Sequence, residues 1–341
     1  MLRPGECAWH GTGSRLSYGS PTLATMMLTR NLGTSDLVVS AVGLGCNNFS
    51  RPGTPTVSLA ETKSVLDAAI DHGITLLDTA ELYGEPKGGS EDLMGQALVG
   101  RRDHVVLATK FGHMAGGPTG SEDWGAKGSA AYVAQAVEGS LTRLRTDRID
   151  LYQLHTPDVS TPIGDTLEAL AKLVQAGKVR FIGHSNFSAE QIREAAATAA
   201  ELGLPPFVSA QNEYSLMARG VEADVLPAVR ELGLGFLPYF PLHNGLLTGK
   251  YTRDGGEGRL TRLKPEVLES VDWNLMERYQ ALCDEAGVTM LQATFAWLLA
   301  QDGISSVIAG ATRPEQIEAN AAAGTTVLGD DVVAAISALF A

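Results

Sequence analysis

Four polar residues of complementary chemistry lie at or just after short apolar runs in the first half of the chain. They are Asp78 after ITLL, Tyr83 in the loop beyond it, Lys110 after VVLAT, and His155 after IDLYQL. Short β-rich runs bounded by turn residues predict strands. The carboxyl ends of parallel strands in an α/β barrel meet on one face, so in such a fold these four side chains converge.

Together these side chains could transfer a proton to a carbonyl oxygen. A phenol has a pKa of about 10 and releases its proton reluctantly at neutral pH, so a catalytic Tyr83 needs a nearby cation, which Lys110 can supply. A lysine in a partly buried site needs a counter-charge, and Asp78 suits that role. His155 can bind the carbonyl oxygen and orient it toward the Tyr83 proton and an incoming hydride.

Each of the four residues also has an ordinary structural interpretation. Asp78 could cap the segment that follows it, and Lys110 could be a solvated strand end. His155 could be a hydrogen-bonded core histidine, and Tyr83 could simply pack. Their joint occurrence at four such positions favours the chemical interpretation.

Two other patterns imitate functional motifs. Tyr83 and Lys87 have the Y-x-x-x-K spacing of a different reductase class, but that chemistry needs both side chains on one helical face, and Gly84 and Pro86 forbid the helix. GTGSRLSYG at residues 11–19 imitates a glycine-rich dinucleotide loop, yet no strand precedes it. The histidines show no metal-ligand spacing, so no metal is expected.

From residue 27 onward, β-rich runs alternate with stretches of helical period, which is typical of a parallel sheet with crossover helices. The predicted strands are 42–45, 74–78, 105–110, 149–155, 179–185, 207–211, 235–239 and 305–309, preceded by a hairpin of 28–30 and 38–40. The predicted helices are 58–72, 90–98, 130–145, 163–176, 189–202, 222–232, 273–286, 289–300, 314–322 and 330–339. This order predicts an α/β fold, a (β/α)8 TIM barrel with an N-terminal β-hairpin and a short C-terminal helix.

Glycines at the expected helix ends support this order of elements. Five glycines stand where a left-handed residue would end a helix, namely Gly73, Gly177, Gly203, Gly233 and Gly287. Two connections, 112–129 and 244–271, are longer than usual and are rich in Gly and charged residues. Both follow predicted strands, so both should lie on the face that carries barrel active sites, either as functional lids or as mobile loops.

Composition limits the class of protein. The chain has 341 residues, 44% hydrophobic and 19% charged, as in a globular protein. Its net charge of −13 disfavours nucleic acid and anionic membranes as partners. Cys7, Cys46 and Cys283 show neither a disulfide framework nor a zinc pattern, and no apolar run is long enough to cross a membrane. We therefore expect a cytoplasmic protein.

Residues 1–26 mix Gly, Ser, Pro and Arg without periodicity. We expect them to form a flexible N-terminal extension that the function does not require. The barrel is expected to occupy residues 27–341.

Five segments together closely resemble the aldo-keto reductase superfamily. They are GITLLDTAELYG, VVLATKFG, IDLYQLH, GKVRFIGHSNF and PYFPLHNGLLTGKY, and the resemblance runs from about Leu28 to Asn320. It implies that Asp78, Tyr83, Lys110 and His155 are the catalytic tetrad of that family. It also implies reversible hydride transfer between a nicotinamide and an aldehyde, ketone or alcohol.

The same resemblance implies a cofactor site. Ser185, Asn186 and Gln211 correspond to residues that bind the nicotinamide carboxamide, and Tyr239 to the aromatic that stacks on its ring. The resemblance places Gly45 and Cys46 beneath the nicotinamide, and assigns to the pyrophosphate the set Phe240, Leu242, Gly245 and Lys250.

The last strand-to-helix junction is expected to hold the adenosine end. Its residues are Gly310, Thr312, Arg313, Gln316 and Asn320. A helix N-terminus favours phosphate, and a basic residue can hold a 2′-phosphate. Some branches of the family carry a lysine and a second arginine where this sequence has Gly310 and Gln316, which leaves Arg313 as the main cation. NADPH is therefore the expected cofactor, with NADH possible.

The expected partner is a small carbonyl substrate, and the candidate pocket wall consists of Asn47, Phe49, His113 and Trp124. Trp124 could equally pack on the rim. The physiological substrate and the oligomeric state stay open. Two other functions fit the fold: a cofactor-binding redox sensor or regulatory subunit with slow turnover, and a metal-dependent sugar isomerase or hydrolase.

Overall fold

The computed structural model describes residues 27–341, and the expectation for residues 1–26 lies outside them. Its strands are β1 (Thr29–Asn31), β2 (Val38–Ser40), β3 (Val42–Gly45), β4 (Leu76–Asp78), β5 (Val106–Phe111), β6 (Ile149–Leu154), β7 (Val179–Ser185), β8 (Ser209–Gln211), β9 (Gly235–Phe236) and β10 (Val307–Gly310).

Strands β3 to β10 form one parallel sheet of eight strands in the order β10-β3-β4-β5-β6-β7-β8-β9. The sheet curls until its edges meet: Phe236 and Ile304 form a parallel bridge, and the Ile308 amide donates to the Pro238 carbonyl at 3.2 Å. The predicted (β/α)8 barrel is confirmed. β9 ends earlier than expected, at Phe236, although the amides of Leu237 and Tyr239 still donate to the carbonyls of Ala210 and Asn212.

The hairpin of β1 and β2 closes the bottom of the barrel. Its buried side chains Leu32, Leu37 and Val39 pack on interior residues such as Leu151 and Leu237. This apolar plug leaves the opposite end of the barrel for polar side chains. The first strand of the hairpin begins one residue later than expected, at Thr29, which pairs with Ser40.

Helices cover the outside of the sheet. They are α1 (Leu59–Asp71), α2 (Gly89–Ala97), α3 (Ala130–Leu144), α4 (Ile163–Gln175), α5 (Ala189–Leu202), α6 (Val225–Glu231), α7 (Arg259–Leu263), α8 (Pro265–Glu269), α9 (Trp273–Glu285), α10 (Met290–Leu299), α11 (Pro314–Ala323) and α12 (Asp330–Leu339). The five glycines expected to end helices all have φ between 64° and 74°. α12 is the predicted C-terminal helix, and Trp297 of α10 donates to the Ser337 hydroxyl on it at 2.8 Å.

The two long connections contain short helices that periodicity did not reveal. Residues Ser121–Trp124 form a 3₁₀ turn, and the second connection holds another at His243–Thr248 as well as α7 and α8. α7 and α8 have five residues each, too few to show a helical period. None of the helices within residues 27–341 combines the length and the hydrophobicity that a membrane span requires.

Gly95 on α2 generates a stability prediction. An ideal Cβ there would lie 2.2 Å from the Arg143 carbonyl oxygen on α3, so the two helices would have to separate. Helix propensity alone would make Gly→Ala stabilising by about 1 kcal/mol. We expect Gly95→Ala instead to lower the free energy of unfolding by about 1–3 kcal/mol, measured by chemical denaturation.

Gly164, near the start of α4, provides the matched control. Its Cβ would lie 3.4 Å from side-chain carbons of Thr198 and Leu202, which is ordinary contact. Gly164→Ala should be at least as stable as the wild type. Equal stability of the two variants would show that α2 and α3 do not depend on this close approach.

Candidate active site

A buried ion pair lies at the carboxyl end of the barrel. The Lys110 ammonium at the end of β5 donates to the Asp78 carboxylate at 2.6 Å and to the Thr79 carbonyl at 2.9 Å. Lys110 is 0% exposed and Asp78 is 4% exposed. Burial lowers the pKa of Lys110, but Asp78 and Tyr83 overcome this and leave it above its ordinary value. The lysine therefore stays charged.

Two glutamines complete the surroundings of Asp78. Gln153 on β6 and Gln211 on β8 each donate an amide N–H to its Oδ1, at 3.2 and 3.1 Å. The sequence analysis assigns Gln211 to the cofactor site, and Gln211 also lines the cavity described below, but it does not identify Gln153. Alternation along β6 could have found it, because Leu151, a barrel-interior residue, lies two positions before Gln153.

Tyr83 lies in the loop after β4, with its ring centre 5.2 Å from the Lys110 ammonium. Burial raises the pKa of its phenol, and the positive charge of Lys110 opposes that rise. The Tyr83 carbonyl accepts from the amides of Gly88 and Ser90, which fixes the loop. No helix includes both Tyr83 and Lys87, since α2 begins at Gly89.

His155 follows β6 and meets the Tyr83 ring edge-on, with 5.7 Å between ring centres. Burial, then the charge of Lys110 and the proximity of His113, hold the pKa of His155 well below its ordinary value. Its imidazole is therefore neutral near pH 7 and can donate one hydrogen bond without bearing charge. The structure thus brings all four sequence-predicted tetrad residues together.

A cavity of ≈ 1170 Å³ opens over this group of residues. Tyr83, His155 and all fifteen residues assigned to the cofactor by resemblance line it. Hydrogen bonds order its floor: Tyr239 donates to Asn186 at 2.8 Å, Asn186 to Ser185 at 3.0 Å, and Ser185 to the Gln211 carbonyl at 2.8 Å.

Two of the four residues expected in the pocket wall line this cavity, Asn47 and His113. The expectation for the other two needs correction. Phe49 is 0% exposed and belongs to the hydrophobic core. Trp124 packs edge-on against Tyr132 of α3, with ring centres 5.4 Å apart, and does not reach the cavity.

Three cations that sequence reasoning missed also line the cavity, Arg51, Arg259 and Arg262. Like Lys250 and Arg313, they form no salt bridge with any acid in residues 27–341. The Nε of Arg259 is buried without a hydrogen-bond partner. Such a lining fits an anionic ligand with phosphate groups. A concentration of arginines in an acidic chain was the signal available in the sequence.

Arg313 is the N-cap residue of α11. The Thr312 amide just before it donates to the Gln316 side chain at 2.8 Å, which ties the first turn of α11 to the residue before its N-cap. Within the described part of the chain, no cluster of three or more His, Cys, Asp or Glu residues could hold a metal ion.

Glu81 is a buried carboxyl behind the site, and sequence reasoning did not identify it. Its Oε1 accepts from the Gly112 amide at 2.8 Å and from the Tyr132 hydroxyl at 2.7 Å, while its Oε2 is buried without a partner. Burial raises the pKa of Glu81 to about 7, although these two hydrogen bonds act to lower it.

Known proteins match most of the chain. The family described as the Aldo/keto reductase family matches residues 41–341. Two proteins of Bacillus subtilis (strain 168) are similar: "Uncharacterized oxidoreductase YrpG" is 35% identical over 316 residues, 91% of this chain and 94% of that protein, and "Uncharacterized oxidoreductase YqkF" is 36% identical over 296 residues, 86% and 90%. A protein of Arabidopsis thaliana named "Probable voltage-gated potassium channel subunit beta" is 36% identical over 306 residues, again 86% and 90%.

The raised pKa of Glu81 predicts a pH-dependent stability. In the unfolded chain the Glu81 carboxyl has its ordinary pKa of 4.5, whereas in the folded protein it keeps its proton up to about pH 7. As the pH rises from 4.5 to about 7, the unfolded chain therefore releases a proton that the folded protein still holds, and the free energy of unfolding falls. Glu81→Gln removes the ionisable carboxyl and with it this pH dependence. Relative to the wild type, the variant should gain on the order of 3 kcal/mol of unfolding free energy between pH 5 and pH 8. If the difference in unfolding free energy between the two proteins stays constant from pH 5 to pH 8, Glu81 does not have a raised pKa.

Proposed function

Because the chain belongs to the aldo/keto reductase family, we propose that it is an NAD(P)H-dependent oxidoreductase that reduces aldehydes or ketones to alcohols, with Tyr83 as the proton donor. The family carries out oxidoreduction with nicotinamide cofactors. The observation that carries the proposal is the position of Tyr83 on the cavity wall, above the buried pair of Lys110 and Asp78.

Each side chain has a separate role in this proposal. His155 donates a hydrogen bond to the substrate carbonyl oxygen and holds it beside the Tyr83 hydroxyl. The phenol gives its proton to that oxygen as negative charge develops there, and Lys110 stabilises the phenolate left behind. Asp78 keeps Lys110 charged, and Gln153 and Gln211 hold Asp78 in place.

The residues of the cavity fit a nicotinamide dinucleotide. Tyr239, Ser185 and Asn186 would hold the nicotinamide, and the cations around Phe240 and Lys250 would hold the pyrophosphate. A cofactor bound in this way supplies the hydride to the carbonyl carbon. Five lysine and arginine side chains line the cavity without a salt bridge to any acid in residues 27–341. We therefore propose that the protein prefers NADPH, whose 2′-phosphate adds negative charge.

A second candidate function is that of a redox sensor or regulatory subunit with slow turnover, which the name of the Arabidopsis relative favours. Rapid mixing of the NADPH-loaded protein with an aldehyde separates the two. Steady oxidation of cofactor over many turnovers supports the reductase. One burst followed by tightly held oxidised cofactor supports the sensor.

Tyr83→Phe removes one oxygen and keeps the ring. We expect it to lower the kcat of carbonyl reduction by about two to four orders of magnitude, the usual contribution of a positioned acid. Cofactor binding should persist, since the dinucleotide contacts remain; fluorescence titration with NADPH is the control. A variant that binds NADPH and still reduces a good aldehyde at nearly the wild-type rate would exclude Tyr83 as the proton donor.

Lys110→Met should cause a similar loss by a different route, because the phenol remains but cannot release its proton readily near neutral pH. The double variant should lose little more than either single variant, since both changes disable one proton-transfer unit. Losses that multiply instead would mean that the two residues act independently. Circular dichroism of each variant checks that the barrel is intact.

Arg313→Ala tests the cofactor preference. If Arg313 holds the 2′-phosphate, the change should weaken NADPH binding by roughly 1.5–3 kcal/mol and leave NADH nearly unaffected. Arg259→Ala is the comparison, because Arg259 lies 5.6 Å from the ring of Phe240, at the expected pyrophosphate site. It should weaken both cofactors alike. Equal loss of both cofactors in Arg313→Ala would place Arg313 elsewhere.

A further inference from the structure

His113 lies beside His155 on the wall of the cavity, with 4.5 Å between their ring centres and the rings nearly perpendicular. The turn that carries it is fixed on both sides. The Gly112 amide donates to Glu81 at 2.8 Å, and the Met114 amide to the Thr156 hydroxyl at 3.1 Å. The ring is therefore presented to the cavity by a defined backbone rather than by a mobile loop.

Hydrogen bonding fixes which nitrogen of His113 carries the proton. Its Nδ1 accepts from the Ala115 amide at 2.9 Å, so the proton of the neutral ring is on Nε2. Burial and the charge of Lys110 lower the pKa of His113, which keeps the ring neutral near pH 7. Nε2 makes no hydrogen bond to any residue from 27 to 341, and it is available to a ligand.

We propose that His113 is a specificity-determining residue, which donates a hydrogen bond from Nε2 to a second oxygen of the substrate on the carbon next to the reacting carbonyl. This rests on the proposed function, in which His155 holds the carbonyl oxygen. Because the ring centres of His113 and His155 lie 4.5 Å apart, the Nε2 of His113 can then reach an oxygen on the neighbouring carbon of the same substrate. A neutral imidazole offers a hydrogen bond without charge, so the substrates selected are α-oxygenated aldehydes and ketones, not simple alkyl carbonyls.

Glycolaldehyde and propanal test this, because they differ by a hydroxyl in place of a methyl. The measurement is the ratio of their kcat/KM values with NADPH, for the wild type, His113→Phe and His113→Gln. We expect the ratio to fall by about fivefold to tenfold in His113→Phe, as for one lost neutral hydrogen bond. His113→Gln keeps an N–H donor and should recover part of the ratio. The intrinsic reactivity of each aldehyde cancels in the comparison.

Met114→Ala is the control, since Met114 lies in the same turn, is 60% exposed and does not line the cavity. Its ratio should equal that of the wild type. An unchanged ratio in His113→Phe, or a loss shared equally by both aldehydes, overturns the role of His113. A wild type that reduces other aldehydes or ketones but not glycolaldehyde overturns this inference alone, whereas a wild type that reduces no carbonyl compound refutes the proposed function, so the two failures are distinguishable.

Discussion

The buried pair of Lys110 and Asp78 is the interaction on which the rest of the site depends. Removing two charges from water costs several kcal/mol for each ion, and the pair is tolerated only if every remaining polar atom finds a partner. Here Asp78 accepts from Lys110 and two glutamines, and Lys110 also donates to the Thr79 carbonyl. Side chains from β4, β5, β6 and β8 must therefore converge at one point.

The closed barrel makes that convergence possible. The parallel register places Asp78 of β4 opposite Ala108 of β5, two residues before Lys110, and it places Lys110 opposite Gln153 of β6. The polar side chains of adjacent strands therefore lie side by side at the carboxyl end of the barrel. The hairpin fills the other end with leucines and valine, which separates a dry interior from the polar end. Stability and reactivity thus occupy opposite ends of one barrel.

The charge of the cavity lining also differs from that of the chain as a whole. The chain as a whole is acidic, with a net charge of −13, yet the cavity is lined by lysine and arginine side chains that form no salt bridge with any acid in residues 27–341. Two of these arginines lie on α7, a helix of five residues in what the sequence suggested was a loop. A field of this kind concentrates an anionic ligand in the cavity of an otherwise repulsive protein.

The sequence by itself determined the order of the eight strands, the hairpin and the positions of Asp78, Tyr83, Lys110 and His155 at or just after strand ends, because alternation, strand ends and residue type are local properties. It could not determine which other side chains meet these four. Gln153 and Glu81 acquire their importance from partners tens of residues away, and Arg259 and Arg262 face the cavity only once a short helix forms. Phe49 and Trp124 are residue types suited to a pocket wall, yet Phe49 is buried in the core and Trp124 packs against Tyr132. Direction in space is decided by packing, which only the tertiary structure supplies.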